Sequence, residues 1–348
     1  MSARVATRQG ALCAGPGPYG RGMADADVTA AAPVALVVGG SRGLGLLAAR
    51  ELQRRGHQVV IAARDAAELD RAATDLARTG EVTTQVCDVR DADAVQQLVD
   101  RVEEQTGPIR VALTVAGIIQ AGPTEAMTLQ HFRDALDTMT WGPIHVAWAV
   151  LPRMRARHRG AIGTVTSVGG MVSPPHLLPY ATAKFGAVGF SDGLAAALSG
   201  TGVTATTIVP GLMRTGSHLR AQFTGDAAKE YAWFGPGASL PVLSMDAERA
   251  ARRIVDGVLD GKPMVTLTPL TWVGIRVRGL APATTTRVMG LVGRLLPSAS
   301  GPATDGTVEG RHARRDLGSR VVNALTTLGD RAAGRNNEKP PESSGVPT

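Results

Sequence analysis

A regular alternation of short apolar runs with amphipathic helical patterns constrains this sequence more than any other feature. Seven β-rich runs lie between residues 33 and 270, from VALVVGG at 34–40 to PMVTLTP at 263–269, and helical patterns separate them. Parallel strands need such crossover helices, whereas antiparallel strands can be joined by tight turns. The sequence therefore predicts an α/β fold with a doubly wound parallel sheet, and we take residues 33–270 as its single domain.

The segments that flank this domain differ from it in composition. Residues 1–32 are rich in Ala and Gly and carry no signal-sequence pattern, so we expect a flexible leader, with Met23 as a candidate start. Residues 271–297 contain an amphipathic helical pattern and form an extension. Residues 298–348 are polar and rich in Gly, Pro and Arg, which predicts a disordered tail.

Charge and cysteine content exclude several classes of function. Residues 33–270 carry 23 basic and 22 acidic side chains, which argues against nucleic acid as a ligand, whereas residues 271–348 carry 11 and 6. The two cysteines, Cys13 and Cys87, cannot build a disulfide framework, and no Cys/His cluster has metal-ligand spacing. We expect a cytoplasmic protein without a metal site or a membrane-spanning segment.

A glycine-rich turn joins the first apolar run to the first helical pattern. GGSRGLG contains Gly39, Gly43 and Gly45, with Ser41 and Leu44 between them. Such a turn lets backbone approach a pyrophosphate and begins a helix whose N–H groups face the phosphates. Its position between strand and helix favours dinucleotide binding over an ordinary turn.

The end of the second β-rich run indicates which dinucleotide is preferred. An acid there would bind a ribose 2′-hydroxyl, but the run ends in Ala63 followed by Arg64, and Arg42 lies in the glycine turn. Two guanidinium groups suit a 2′-phosphate, so we predict NADP(H) rather than NAD(H), the alternative being two solvated surface arginines. Asp88, beside Val89, is placed to meet the adenine amino group, or else caps a helix.

The stretch YATAKFG at 180–186 carries the candidate reaction chemistry. Tyr180 and Lys184 lie one helical turn apart and project on one face. A phenol is a poor acid–base catalyst at neutral pH, but a nearby ammonium favours the phenolate and lowers its pKa towards the working range. We therefore interpret this pair as a reaction centre.

Together these motifs resemble those of the short-chain dehydrogenase/reductase family over roughly residues 33–270. The resemblance implies a Rossmann-type fold and hydride transfer between a nicotinamide cofactor and a carbonyl or alcohol carbon. It also implies that Tyr180 is the acid–base group, that Ser167, 13 residues earlier, polarises the substrate oxygen, and that Lys184 also holds the nicotinamide ribose. Further cofactor-binding positions implied by the motifs CDV, AG and VPGLMRT are Asp88, Val89, Ala116, Gly117, Pro210, Gly211 and Thr215.

Two positions depart from the family pattern. Val115 stands where the family has an asparagine in NNAG, and Met139 stands at the catalytic asparagine that helps hold a water in a proton relay. A thioether is only a weak acceptor and cannot replace that amide. Thr138, Thr140 or backbone carbonyls could hold the water instead. The alternative function is a nucleotide-binding redox sensor with little or no turnover.

Apolar segments around the predicted site indicate a small hydrophobic carbonyl or alcohol substrate. We expect the pocket to be bounded by residues 168–179, by the loop after Gly117 and by residues 212–245, where Trp233 and Phe234 could close over it; His176 is expected to be solvated. Residues 271–297 combine an apolar stripe with basic flanks. This pattern predicts either packing within a homo-oligomer or on the domain, or peripheral contact with an anionic membrane.

Overall fold

The computed structural model describes residues 32–241, 243–299 and 301–339 of the 348. The strands of its central sheet are β1 (Val34–Val38), β2 (Gln58–Ala63), β3 (Val82–Val86), β4 (Ile109–Thr114), β6 (Gly160–Val165), β7 (Val203–Val209) and β11 (Met264–Thr266). All pair in parallel, in the order β3-β2-β1-β4-β6-β7-β11. The predicted Rossmann-type sheet and its seven strands are thus confirmed.

Within the residues that the structure describes, five two-residue strands lie outside the central sheet. They are β5 (Gln120–Ala121), β8 (Met213–Arg214), β9 (Gln222–Phe223), β10 (Met245–Asp246) and β12 (Val308–Glu309). β9 pairs with both β5 and β12, and β8 pairs with β10. These short pairings tie the loops beyond the carboxyl ends of the main strands to one another.

Twelve α-helices accompany the strands in the described ranges. They are α1 (Gly43–Arg54), α2 (Ala66–Leu76), α3 (Ala92–Gln105), α4 (Leu129–Leu136), α5 (Gly142–Ala156), α6 (Leu178–Ala197), α7 (Ala227–Gly237), α8 (Ala247–Leu259), α9 (Pro269–Leu280), α10 (Pro282–Gly293), α11 (Gly310–Leu317) and α12 (Arg320–Arg335). One apolar core joins one face of the sheet to α1, α2 and α8, and a second joins the other face to α3, α5 and α6. Because both faces are covered, β1 is apolar throughout and fully buried.

The C-terminal extension differs from the sequence-based expectation. Residues 298–348 were predicted to be disordered, yet residues 308–335 form β12, α11 and α12, and residues 340–348 lie outside the described ranges. Asp330 of α12 accepts hydrogen bonds from His218 at 3.2 Å and from Arg314 at 2.7 Å. Ala332 and Ala333 are buried, and a Cβ on Gly216 would overlap Ala333. The small residues of α12 therefore allow close packing, although the composition of residues 298–348 predicts disorder.

The structure does not describe the predicted leader, but it does describe the chain on both sides of the predicted domain boundary at residue 270. The leader expectation for 1–32 falls, except for Ala32, on residues that the structure does not describe. The described residues from Pro33 onward form one compact unit, so the extension belongs to the body that the sheet organises. The amphipathic helical pattern expected within residues 271–297 corresponds to two helices, α9 and α10, the second of which ends at Gly293.

Two glycines of α12 offer a matched test of this packing. A Cβ on Gly329 would lie 2.7 Å from Cε1 of His218 and would overlap the Ser239 hydroxyl, whereas a Cβ on Gly334 would meet nothing within 4 Å. We expect Gly329→Ala to lower the free energy of unfolding in urea by about 1–3 kcal/mol through overpacking. Gly334→Ala should raise it by about 0.5–1 kcal/mol through helix propensity. Two neutral variants would mean that α12 does not pack in solution.

Candidate active site

The site is built at the carboxyl ends of the central strands, where the glycine turn follows β1. Gly39 has φ 87° and Gly43 has φ 54°, and a Cβ on Gly45 would overlap the Gly39 carbonyl oxygen. A Cβ on Gly39 would overlap the Ala116 amide that follows β4. The turn thus packs backbone against backbone, and α1 begins at Gly43 directly beside it. This is the helix N-terminus that a phosphate can approach.

Ser167, Tyr180 and Lys184 come together as the sequence predicted. Ser167 follows β6 and is 9% exposed, and its hydroxyl accepts a hydrogen bond from the Gly169 amide at 3.0 Å. Tyr180 and Lys184 lie in the first two turns of α6. The Lys184 ammonium donates to the Val165 carbonyl at 2.8 Å and lies 5.9 Å from the centre of the Tyr180 ring. One serine hydroxyl, one phenol and one amine therefore share the end of β6.

Electrostatics within this trio differ from the expectation that an ammonium would lower the phenol pKa. Burial raises the pKa of Tyr180, although a hydrogen bond with Ser167 opposes the rise. Burial also lowers the pKa of Lys184 to about 8. Desolvation is therefore the largest influence on the pKa of both groups in this structure.

Met139 occupies a distorted segment of helix beside the trio. Residues Asp137–Trp141 form a π-helical turn between α4 and α5, and Met139 is 1% exposed within it. A Cβ on Gly117 would lie 3.5 Å from the Met139 sulfur and 3.9 Å from the Lys184 nitrogen, so the thioether and the amine lie on the same side of that glycine. Thr140 already donates to the Ala183 carbonyl at 2.8 Å. Of the two threonines considered for the relay, Thr140 is therefore engaged.

An apolar cluster adjoins Tyr180 on the side where the substrate pocket was expected. Trp233 and Phe234 of α7 belong to it, together with Ile119, Leu177, Phe223 and Tyr231. The expectation that His176 is solvated is wrong. Its Nδ1 lies 2.8 Å from the buried Glu230 carboxylate. Trp233 donates to the same carboxylate at 2.8 Å. Burial raises the pKa of Glu230 although both partners oppose the rise.

The remaining predicted cofactor residues differ in their exposure and in their hydrogen-bond partners. Arg64 is exposed and makes no side-chain hydrogen bond or ion pair within the described ranges. Burial would raise the pKa of Asp88, but hydrogen bonds from Arg90, at 2.6 Å for the shortest, hold it below its usual range. Leu44, Val89, Pro210 and Thr215 are buried, and Gly211 is partly buried. Pro210 accepts from the Val168 amide at 2.8 Å, which joins the ends of β6 and β7.

One feature of the site was missed by sequence reasoning. Residues 336–338, directly after α12, lie against the glycine turn. The Gly43 amide donates to the Asn336 carbonyl at 2.8 Å, and the Asn337 amide group donates to the Ser41 carbonyl at 2.8 Å. The only signal in the sequence was a pair of asparagines in a segment otherwise read as disordered.

Charged groups join the same region of the turn. Arg42, predicted to bind a 2′-phosphate, instead donates to Glu68 at 3.1 Å and lies 3.5 Å from the Glu338 carboxylate. Arg220 donates to Glu68 at 2.6 Å and to the Glu338 backbone carbonyl at 3.0 Å. Burial raises the pKa of Glu338 to about 7 despite the two arginines. Arg42 is therefore not free in this arrangement, whereas Arg64 is exposed.

Comparisons with known proteins agree with this geometry. A family model described as short chain dehydrogenase matches residues 33–223. The chain is 34% identical over 185 residues to a putative ketoacyl reductase of Streptomyces coelicolor, covering 52% of this chain and 71% of that protein. It is 35% identical over 184 residues to acetoacetyl-CoA reductase of Paracoccus denitrificans, covering 53% and 75%.

A solved structure, a variant of actinorhodin polyketide ketoreductase with NADPH, aligns with a TM-score of 0.60 and 27% identity, covering 70% of this chain and 97% of that one. The chain belongs to the short-chain dehydrogenase/reductase family. It is therefore an NAD(P)-dependent oxidoreductase that acts on CH–OH or C=O groups.

Proposed function

We propose that this protein transfers hydride between NADP(H) and a small hydrophobic carbonyl or alcohol substrate, with Tyr180 as the acid–base group. The observation that carries the proposal is the convergence of Ser167, Tyr180 and Lys184 beside the glycine turn and the apolar cluster. The residues of the turn suit the cofactor, because Gly39, Gly43 and Gly45 contribute no side chains of their own, although the Glu338 carboxyl lies at Gly43 in this structure. Gly39, Ser41, Gly43, Gly45 and Thr215 would hold its phosphates and nicotinamide side.

The chain's own groups would divide the work as follows. The nicotinamide, when bound, supplies or accepts the hydride. Ser167 donates a hydrogen bond to the substrate oxygen, and Tyr180 gives that oxygen its proton during reduction or removes one during oxidation. The high phenol pKa suits the donor role, since a neutral phenol carries the proton that the developing alkoxide needs. Lys184 lies beside the Tyr180 ring and would hold the nicotinamide ribose.

Tyr180→Phe tests the acid–base role. The variant should lose turnover by several orders of magnitude while it binds NADPH nearly as well as the parent, because only the hydroxyl is removed. Lys184→Ala should weaken both turnover and binding. Turnover is measured as NADPH oxidation with a panel of apolar ketones, and binding by NADPH fluorescence. A Tyr180→Phe protein with near-parental kcat would refute the proposed acid–base role.

Preference for NADP(H) over NAD(H) is supported by the second strand. β2 ends at Ala63 without an acid, and the exposed Arg64 follows it. Because Arg42 is paired with Glu68, we assign most of the expected selectivity for NADP(H) to Arg64. A guanidinium there would pair with a 2′-phosphate and gain nothing from a 2′-hydroxyl.

Arg64→Asp should therefore weaken NADPH binding about tenfold or more and leave NADH binding little changed or improved. Arg78→Asp, the same charge change at the other end of α2, is the matched control and should alter neither affinity by more than about twofold. Dissociation constants from fluorescence titration decide the matter. An unchanged NADPH/NADH ratio in Arg64→Asp would remove the assignment.

The surface of α9 and α10 supports a lipid contact close to the site. Leu280 is 88% exposed, and Leu295, just after α10, is 86% exposed. Further large apolar side chains of α9 and α10 are exposed too, namely Leu270, Trp272, Val273, Val277, Val288, Leu291 and Val292. Gly293, the last residue of α10, lies against residues 168–179, which we expect to bound the substrate pocket, since a Cβ on Gly293 would lie 3.3 Å from Pro175. Arg276 stacks on Trp272 at 3.4 Å. None of the helices in the described ranges is long and apolar enough to cross a membrane.

An apolar face bordered by arginines fits an anionic lipid surface, from which a hydrophobic substrate could enter. We expect the full chain to sediment with anionic vesicles but not with neutral ones, and to be released by salt. Leu280→Ser combined with Leu295→Ser should abolish this binding, whereas Leu129→Ser, on α4 and 71% exposed, should not. If the parent protein does not bind anionic vesicles, and if it is an oligomer while the double variant is a monomer, the apolar face is a contact between subunits.

A further inference from the structure

We propose that residues 336–338, here named the C-terminal plug, compete with the dinucleotide for the glycine turn, so that the plug must leave before the cofactor binds. The inference rests on the proposed function and adds regulation of that same site. It follows from which groups of the turn the plug occupies, how far across the site it extends and how it is anchored.

The plug takes the polar groups that a phosphate would use. The Gly43 amide, at the N-terminus of α1, donates to the Asn336 carbonyl at 2.8 Å. The Glu338 carboxyl occupies the open side of Gly43, where a Cβ would come within 2.5 Å of its Oε1. A pyrophosphate needs that amide and that open side together. The plug and the phosphates therefore cannot share the turn.

The plug also spans the site from the glycine turn to the loop after β7. Asn337 donates to the backbone carbonyls of Ser41 at 2.8 Å and Glu68 at 3.0 Å. Asn336 donates to the Thr215 carbonyl at 3.0 Å. Ser41 and Thr215 are the two sides between which the resemblance places the cofactor. The segment thus bridges the glycine turn and the loop after β7.

The plug conformation is held by specific contacts. Asn337 adopts the left-handed region with φ 56°, which asparagine tolerates better than most residues, and it accepts from Arg71 at 3.0 Å. Asn336 and Glu338 are each 5% exposed. Because α12 is packed on the body immediately before them, the plug acts at a high effective concentration. A released plug would remain tethered beside the turn.

Competition of this kind reduces apparent cofactor affinity by the fraction of molecules in which the turn is open. Any change that weakens plug docking must then tighten NADPH binding without touching a residue that holds the cofactor. A segment that instead closed over bound cofactor would behave oppositely, since weakening it would loosen NADPH. The sign of the effect distinguishes the two arrangements.

Asn337→Ala in the full chain tests whether weaker plug docking tightens or loosens NADPH binding. The variant loses three side-chain hydrogen bonds and the left-handed preference, so its dissociation constant for NADPH should fall roughly fivefold or more. Lys339→Ala, at an exposed position just beyond the plug, is the matched control and should stay within about twofold of the parent. Binding is measured by NADPH fluorescence without substrate. Equal affinities in all three proteins would overturn the plug and leave the proposed function standing.

Hydrogen exchange on the parent protein provides an independent readout. Saturating NADPH should speed amide exchange in the peptide that covers residues 330–339, because the displaced plug loses its partners. Slower exchange in that peptide would overturn competition in favour of a closing lid. If the parent and both variants bind neither NADPH nor NADH, the proposed function fails and the inference fails with it.

Discussion

Backbone-to-backbone packing at the glycine turn is the constraint on which the other parts of the site depend. A side chain at Gly45 would overlap the Gly39 carbonyl, and one at Gly39 would overlap the backbone after β4. This close approach sets where α1 begins and joins the ends of β1 and β4. It also leaves a concave face of amides without side chains. Either a phosphate or a carbonyl oxygen of the chain itself can fill such a face.

Elements that depend on local sequence could be predicted with good accuracy. The inner strands β1, β2 and β4 are apolar runs that are almost entirely buried, and the partly exposed edge strands β3 and β11 are recognised by their place in the alternation with helices. The pairing of Tyr180 with Lys184 follows from helical spacing, and the parallel sheet brings Ser167 to the same edge. Directly before Gly142 and Pro143 the structure shows a π-helical turn that holds Met139 buried.

Contacts between distant parts of the chain could not be predicted. Asn337 meets Ser41 across nearly the whole sequence, and no pattern in either segment specifies the other. The tail at residues 298–348 was predicted to be disordered because it is polar and rich in Gly, Pro and Arg, but in α12 small residues allow close approach to Gly216 and His218. His176 was expected to be solvated because it lies in a loop. Its partner Glu230 lies 54 residues away and is fully buried.

Burial of Glu338 gives plug docking a definite dependence on pH. Its pKa rises from 4.5 to about 7 because desolvation outweighs the attraction of Arg42 and Arg220, and Glu68 adds repulsion. A group whose pKa is higher in the docked state binds its proton more tightly there, so docking is most favourable below pH 4.5 and weakens as pH rises to about 7. Ionisation of a single carboxyl thus acts in the direction that opens the glycine turn.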